Sequence, residues 1–296
     1  MSSWLGSLKP STVKAYASDL RSFTAWLDVE ASDEAIKLLI TDDNGAANRL
    51  THDYKTAMVD QNLAAATINR RLSTLRAVIT HCRTIGLIDW TLDCRSVKAK
   101  KSRDTKGPGI GVVRELIEHL NDQETAKAAR DKAILRLMFD RGLRRGEVFS
   151  LDYGDIDAEN CAVWLASKGH TDKESVTIGP IACEAINEWL EHRGHNEGPL
   201  FVNLSRNPQQ TGTRLTGRSV ARSLDTLAQT IGTTKAVRPH GICHTAITTA
   251  LDKTGGDYRQ VQAFSRHAKI ETVTIYDDNR TDQGGTIANL IADIVR

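Results

Sequence analysis

The 296-residue chain has little of several features that define particular classes of protein. Its five cysteines are scattered and form no CxxC pair, which argues against a zinc ribbon or a disulfide framework and is consistent with a reducing cytoplasm. We find no apolar run long enough to cross a bilayer and no secretion signal in residues 1–10. The GxxxxGKS/T loop of nucleotide-driven machines is also missing. Aromatic residues make up 5% of the chain, too few to favour a stacking platform for single-stranded nucleic acid.

Positive charge is unevenly distributed, although the net charge is only +2. Between positions 95 and 106, six basic residues stand against Asp104. They are Arg95, Lys98, Lys100, Lys101, Arg103 and Lys106. A short basic block in a near-neutral chain indicates a local positive patch. A solvated linker without a partner explains the same composition, so charge alone leaves both interpretations open.

Hydrophobic periodicity predicts that residues 1–94 form a helical domain. Apolar residues at spacings of three and four indicate helices over 10–27, 33–40 and 51–61, and another that Thr67 caps. One stripe of that last helix is apolar and comprises Ile68, Leu72, Leu75, Ile79 and Cys82. The opposite face carries small polar residues and a cation, namely Asn69, Arg70, Ser73 and Ala77. Such a face suits a DNA groove, but an ordinary hydrated helix face is the commoner outcome.

The rest of the chain predicts a linker and a second domain. Residues 95–111 lack periodicity and end in Gly107-Pro108-Gly109, which indicates an interdomain linker. Helices then alternate with three short strands at 155–157, 161–166 and 175–178, the last two joined by a polar loop. The predicted fold class is multidomain, α and α+β: a helical domain (1–94), the linker (95–111), and a mixed α/β domain (112–296) with a small antiparallel sheet and a tail helix at 286–296.

Four short patterns follow one another in the second domain. They are RGLRRGEV from Arg141, Lys168 in the strand–strand loop, HGICHT from His240, and SRHAKIETVTIY ending at Tyr276. A phosphodiester under attack by a phenolate gathers negative charge, which fixed guanidinium and imidazole donors can stabilise in the absence of a metal. A tyrosine is a poor nucleophile at its ordinary pKa of about 10 and needs such cationic neighbours.

In this order, after a helical domain and a basic linker, the patterns resemble the tyrosine recombinases, the phage-integrase and Xer-like family. The resemblance implies a site-specific enzyme that breaks and rejoins duplex DNA through a 3′-phosphotyrosyl bond, with no metal, nucleotide or other cofactor. It implies Glu147 as a structural partner and a nucleophilic tyrosine nine residues after a histidine, a spacing that His267 and Tyr276 have. The family's six catalytic positions correspond to Arg144, Lys168, His240, Cys243, His267 and Tyr276.

Cys243 departs from the family pattern, which has a second arginine at this position. A thiol offers one weak donor and no charge, so it cannot clamp a phosphate oxygen. The chain is then a deliberately disabled variant, a natural homologue that binds DNA without catalysis, or an enzyme in which Arg238 or Arg266 substitutes. From the sequence we favour the disabled variant and expect impaired activity.

Other interpretations of single residues stay open. His240, Cys243 and His244 could bind zinc, but a fourth ligand at suitable spacing is missing, and His244 fits a structural role better. Lys173 is a rival for Lys168, which the Lys-Gly pattern favours. A topoisomerase of type IB, which would act without a partner site, is a further alternative.

The resemblance also predicts how the protein holds DNA and assembles. We expect a C-shaped clamp around double-stranded DNA, with affinity dominated by phosphate contacts. The candidate contacts are Arg70, Arg71, Lys98, Lys100, Lys101, Arg103, Arg218 and Arg222. Family members act as homo-tetramers on two DNA sites and exchange a C-terminal segment. The apolar residues that the tail offers a neighbour are Ile287, Leu290, Ile291 and Ile294.

Overall fold

The computed structural model describes residues 4, 6–40, 43–98, 107–166, 172–277, 288 and 291–294. Its contacts divide the chain into two compact units, Met1–Arg103 and Asp104–Arg296, a division that falls inside the predicted linker. Within the described ranges, no helix is both long and apolar enough to span a membrane.

Twelve α-helices and one three-stranded sheet are found in the described residues. In the first unit, the helices are α1 (Pro10–Leu27), α2 (Ser32–Leu39), α3 (Asn44–Asp60) and α4 (Ala65–Thr84). In the second unit, they are α5 (Ile110–Asn121), α6 (Ala126–Asp140), α7 (Arg145–Ser150), α8 (Pro180–Arg193), α9 (Gly217–Thr230), α10 (Pro239–Lys253), α11 (Tyr258–Ser265) and α12 (Glu271–Asp277). The strands are β1 (Ile156–Asp157), β2 (Ala162–Ala166) and β3 (Lys173–Thr177).

The first unit packs its four helices around the predicted apolar stripe of α4. All five residues of that stripe are buried, together with Phe23 and Tyr54 from α1 and α3. Each such side chain contributes about 1.5–3 kcal/mol through removal from water. The helix α1 has the predicted bounds, but two others start earlier than predicted. The helix α3 begins at Asn44, because the Asp43 side chain caps the Gly45 amide at 2.8 Å, and α4 begins before Thr67.

The segment at 92–98 packs on the first unit, so the first residues of the predicted linker have fixed neighbours. Leu92 and Cys94 are buried in the core. The Asn69 side chain donates to the Val97 carbonyl at 2.9 Å and accepts from the Val97 amide at 2.8 Å. The Lys55 ammonium donates to the Arg95 carbonyl at 2.8 Å. Asn69, on the helix face that the sequence leaves open between a DNA groove and solvent, therefore holds this segment.

In the second unit, α6 lies in the centre and packs against α5, α8 and α10. Its two buried charges, Arg130 and Asp131, pair with each other at 2.7 Å, and Asp131 also accepts from Ser223 at 2.5 Å. The sheet is antiparallel in the order β1–β2–β3, with Ala162 opposite Thr177 and Ala166 opposite Lys173. The predicted strands are confirmed. The loop that carries Lys168 lies outside the described residues.

Candidate active site

Four segments far apart in the sequence line one cavity of about 580 Å³ in the second unit. They are the start of α7 with Arg144, α9 with Asp225, the start of α10 with His240 and Cys243, and the α11–α12 region with His267 and Tyr276. The structure thus brings together five of the six predicted catalytic residues. The sixth, Lys168, lies outside the described residues.

Arg144 stands at the N-terminal end of α7 and is held by Glu147. The Glu147 carboxylate accepts from the Arg144 backbone amide at 2.7 Å and from Arg144 Nη1 at 2.9 Å. The second terminal nitrogen, Nη2, donates to the carbonyls of Ser265 and Arg266 at 3.1 and 3.2 Å. Since these partners fix the planar guanidinium while its side chain stays partly exposed, Arg144 is set at the cavity wall in a defined orientation.

The turn before Arg144 depends on glycine. Gly142 has φ +65°, and a Cβ there would lie 3.0 Å from the Phe264 ring. The neighbouring Arg141 places its guanidinium 5.6 Å from the centre of the same ring and donates to the Thr177 carbonyl at 3.0 Å. Burial and the charge of Arg266 lower the pKa of Arg141 to about 10. These contacts tie the start of α7 to the end of α11.

Cys243 is buried beside this turn and carries no charge. Its thiol donates to the Leu143 carbonyl at 2.8 Å. Burial, followed by the negative charge of Glu147, raises the pKa of the thiol to about 12. At neutral pH, the residue is therefore a protonated thiol whose single donor is already used.

The two histidines of α10 have different environments. His240 is exposed and lines the cavity. His244 is buried, with its ring 4.8 Å from that of Tyr276, and burial and His240 lower its pKa. This packing is consistent with the structural role expected for His244. Among the described residues, no group of three or more His, Cys, Asp or Glu side chains could hold a metal ion.

His267 is fixed by a serine that the sequence did not single out. Its Nδ1 lies 2.7 Å from the hydroxyl oxygen of Ser265, and that hydroxyl donates to the Val261 carbonyl at 2.7 Å. Because the hydroxyl proton is used there, the serine oxygen accepts from Nδ1–H, and Nε2 keeps its lone pair. Burial, Arg144 and Arg266 lower the pKa of His267 to about 4, so the ring is neutral near pH 7.

Tyr276 projects from α12 into the same region. Its ring packs on a small apolar cluster that includes Ile247 and Val273, and the ring centre lies 5.8 Å from that of His267. Burial raises the pKa of Tyr276, while the charge of Arg144 opposes the rise. The phenol is thus protonated, and its ionisation depends on neighbouring donors and acceptors.

Arg266 contacts Glu147, the residue that holds Arg144. It has a left-handed backbone (φ 52°), and its Nη2 pairs with the Glu147 carboxylate at 2.6 Å. Nη1 is buried and has no hydrogen-bond partner among the described residues. Arg145 and Arg238 add further positive charge at the cavity wall.

The residues predicted to contact DNA differ in exposure and in ion pairing. Arg70 pairs with the buried Asp19 at 2.5 Å, and Arg71 lies half-buried beside Tyr54. Exposed positions are occupied by Lys98, Arg218 and Arg222. Three further candidates lie outside the described residues: Lys100, Lys101 and Arg103. The rival lysine, Lys173, forms an ion pair with Asp155 at the sheet.

Comparison with known proteins gives the family. The profile of the phage integrase family matches residues 111–283, and that of the phage integrase N-terminal SAM-like domain matches residues 6–81. Tyrosine recombinase slr0733 of Synechocystis sp. is 34% identical over 291 residues, which cover 97% of this chain and 92% of the relative. XerC of Corynebacterium efficiens is 30% identical over 272 residues, 90% of this chain and 80% of the relative. The chain belongs to the phage integrase family.

Within that family it is a Xer-like tyrosine recombinase, an enzyme of the class that breaks and rejoins DNA. Solved structures share the fold. XerH recombinase bound to a palindromic difH substrate has a TM-score of 0.68 at 18% identity and covers 95% of this chain and 80% of its own. A lambda integrase dimer bound to a COC′ core site has a TM-score of 0.64 at 13% identity and covers 93% and 91%.

Proposed function

We propose that this protein cleaves and rejoins duplex DNA at specific sites through a covalent bond between Tyr276 and a 3′-phosphate. The observation that carries the proposal is the convergence of Arg144, His240, His267 and Tyr276 on one cavity. The phenolic oxygen forms a bond to phosphorus, the bond from phosphorus to the 5′-oxygen breaks, and the 5′-oxygen takes up a proton. A second strand end reverses the step.

The protonation states give the groups distinct roles. His267, neutral and with a free lone pair on Nε2, accepts the phenolic proton of Tyr276. Since the pKa of His267 is about 4 and that of Tyr276 is raised, the proton leaves as the bond to phosphorus forms, not before. Arg144 and His240 donate to the phosphate oxygens, and Lys168 protonates the leaving 5′-oxygen.

A covalent-capture assay tests the proposal. On a nicked suicide DNA substrate, the protein should form an adduct that denaturing electrophoresis resolves, and Tyr276→Phe should abolish it. His267→Ala should slow adduct formation by about 10²- to 10⁴-fold, the usual contribution of a general base. Tyr153→Phe is the matched control, because Tyr153 belongs to the same unit and contacts His195. Adduct formation that survives Tyr276→Phe would refute the proposal.

A DNA-binding protein without catalysis is the second candidate, and the buried, uncharged Cys243 favours it. If no other cation acts, loss of one charge-assisted clamp removes about 3–4 kcal/mol of transition-state stabilisation. The site would then bind DNA and form little adduct. Specific binding without any Tyr276-dependent adduct, over long incubations, would select this second function.

We also propose that DNA binding rests on phosphate contacts and that assembly uses the C-terminal tail. Exposed Lys98, Arg218 and Arg222 supply cations, so affinity should fall steeply with salt. In the tail, Ile291 and Ile294 are 58% and 82% exposed, which suits a partner surface in a homo-tetramer on two sites. Deletion of 284–296 should abolish pairing of two DNA sites in gel-shift assays while binding to one site persists. Unchanged pairing would contradict tail exchange.

A further inference from the structure

The charged groups around Glu147 keep a net positive charge, although Cys243 itself supplies none. One carboxylate, Glu147, lies between two guanidiniums, 2.9 Å from Arg144 Nη1 and 2.6 Å from Arg266 Nη2. These three groups carry a net charge of +1. Without Arg266, Arg144 and Glu147 would cancel, and the wall that faces a phosphate would have no net charge from this cluster. An arginine at 243, counted with Arg144 and Glu147 but without Arg266, would give the same +1.

Arg266 occupies its position at a cost to stability. A non-glycine residue with φ 52° has an unfavourable backbone, and the side chain is only 16% exposed. Its Nη1 is buried without a partner in the described part of the chain, although a charged donor normally finds one. Strain and unsatisfied polar groups that persist together are typical of functional sites.

We propose that Arg266 restores to the site the positive charge that an arginine at position 243 would supply. The proposal rests on the proposed recombinase function and deepens it. Arg266 acts through Glu147 and through its charge, so it is a positioning residue. The other cation considered from the sequence, Arg238, lines the cavity, but it is exposed at the N-terminus of α10, where water screens its charge. Arg266 is shielded from water and adjoins both Glu147 and the backbone that holds Arg144.

The substitution Arg266→Gly removes the side-chain charge and leaves the backbone conformation unchanged, so it tests the charge alone. Glycine suits the left-handed conformation and keeps the carbonyl that accepts from Arg144. On the suicide substrate, the variant should form the Tyr276-dependent adduct about 10- to 100-fold more slowly. Asp28→Gly is the matched control: Asp28 is also a left-handed C-cap (φ 57°), but on α1 in the first unit. The control should keep the original rate.

A double-variant cycle tests substitution directly. If Arg266 already supplies the charge, Cys243→Arg alone should change the rate by less than about 3-fold, yet in the Arg266→Gly background it should restore at least about 10-fold. Thermal unfolding of each variant checks the fold. If the double variant does not fold, a chemical-rescue experiment takes its place. Millimolar methylguanidinium added to the Arg266→Gly protein should then restore the rate of adduct formation.

Three results would overturn the inference. The first is an Arg266→Gly rate within about 3-fold of the unsubstituted chain. The second is a loss that neither Cys243→Arg in a folded double variant nor methylguanidinium restores, since Arg266 would then serve the fold alone. The third is the absence of any Tyr276-dependent adduct in the unsubstituted chain, which would refute the proposed function as well. The first two results leave that function intact, so the failures are distinguishable.

Discussion

The pKa of His267 gives the sharpest prediction about the site. Burial, Arg144 and Arg266 lower it from the ordinary 6.5 to about 4. In the unfolded chain, the imidazole binds a proton near pH 6.5, whereas the folded protein resists protonation until about pH 4. The unfolded state therefore binds more protons in this window. The stabilising contribution of neutral His267 is fully present above pH 6.5 and is lost as the pH falls towards 4.

The magnitude follows from the size of the shift. A difference of 2.5 pKa units corresponds to at most about 3.4 kcal/mol, and solvent screening of a half-buried ring reduces the expected effect to about 1–2 kcal/mol. Other groups also contribute to the pH dependence of stability, so the measured quantity is the difference in unfolding free energy between the unsubstituted chain and His267→Gln. Relative to that variant, the unsubstituted chain should lose stability as the pH falls from 6.5 to 4.

Nuclear magnetic resonance of labelled histidine side chains gives the pKa directly. Arg144→Gln and Arg266→Gly should each raise the pKa of His267, because each removes a repelling charge. Lys269→Gln is the matched control: it removes an exposed cation two residues away, and we expect the pKa of His267 to stay unchanged because water screens that charge. A pKa of His267 near 6.5 in the unsubstituted chain, or one that Arg144→Gln leaves unchanged, would refute the reasoning.

Two further predictions concern the framework of the site and the linker. Gly142→Ala should destabilise the second unit by about 2–3 kcal/mol, because the new methyl group contacts Phe264 and the left-handed backbone is strained. Gly86→Ala is the control: its backbone is also left-handed but the space around it is open, so it should cost about 1 kcal/mol. Equal losses of stability in thermal unfolding would contradict this prediction. Asn69→Ala should expose residues 92–98 to protease, since both bonds to Val97 are lost, and Ser73→Ala on the same helix should not. Equal cleavage of the two variants would show that Asn69 does not hold the segment.

Hydrophobic periodicity predicts helices well where a single face of the helix is buried. The stripe from Ile68 to Cys82 is core as expected, because residues at spacings of three and four share one helix face. Helix starts were less well predicted. The periodicity predicts the third helix from residue 51, yet α3 begins at Asn44 and includes Gly45 in its first turn, where the Asp43 cap compensates for the low helix propensity of glycine.

What lies against a polar face could not be predicted from the same pattern. On the polar face of α4, Asn69 binds the segment 92–98 through Val97, while Arg70 and Ser73 are exposed. A side-chain amide pairs with any backbone that reaches it, and the partner here is 28 residues away. Likewise, the motif at 265–267 showed His267 but gave no sign that Ser265 fixes its proton, because that depends on the helical turn to Val261.

In the absence of DNA, the pKa of the base, His267, is lowered and that of the nucleophile, Tyr276, is raised. The negative charge of the substrate phosphodiester is then absent from the site. A phosphodiester anion beside Arg144 offsets the guanidinium charge that lowers the pKa of His267, so we expect the base to strengthen when DNA binds. In the Tyr276→Phe protein, the pKa of His267 should rise on binding duplex DNA. It should rise less when an uncharged methylphosphonate replaces the scissile phosphate. Equal rises would mean that the charge of the scissile phosphate does not set the strength of the base, since desolvation by DNA would lower this pKa.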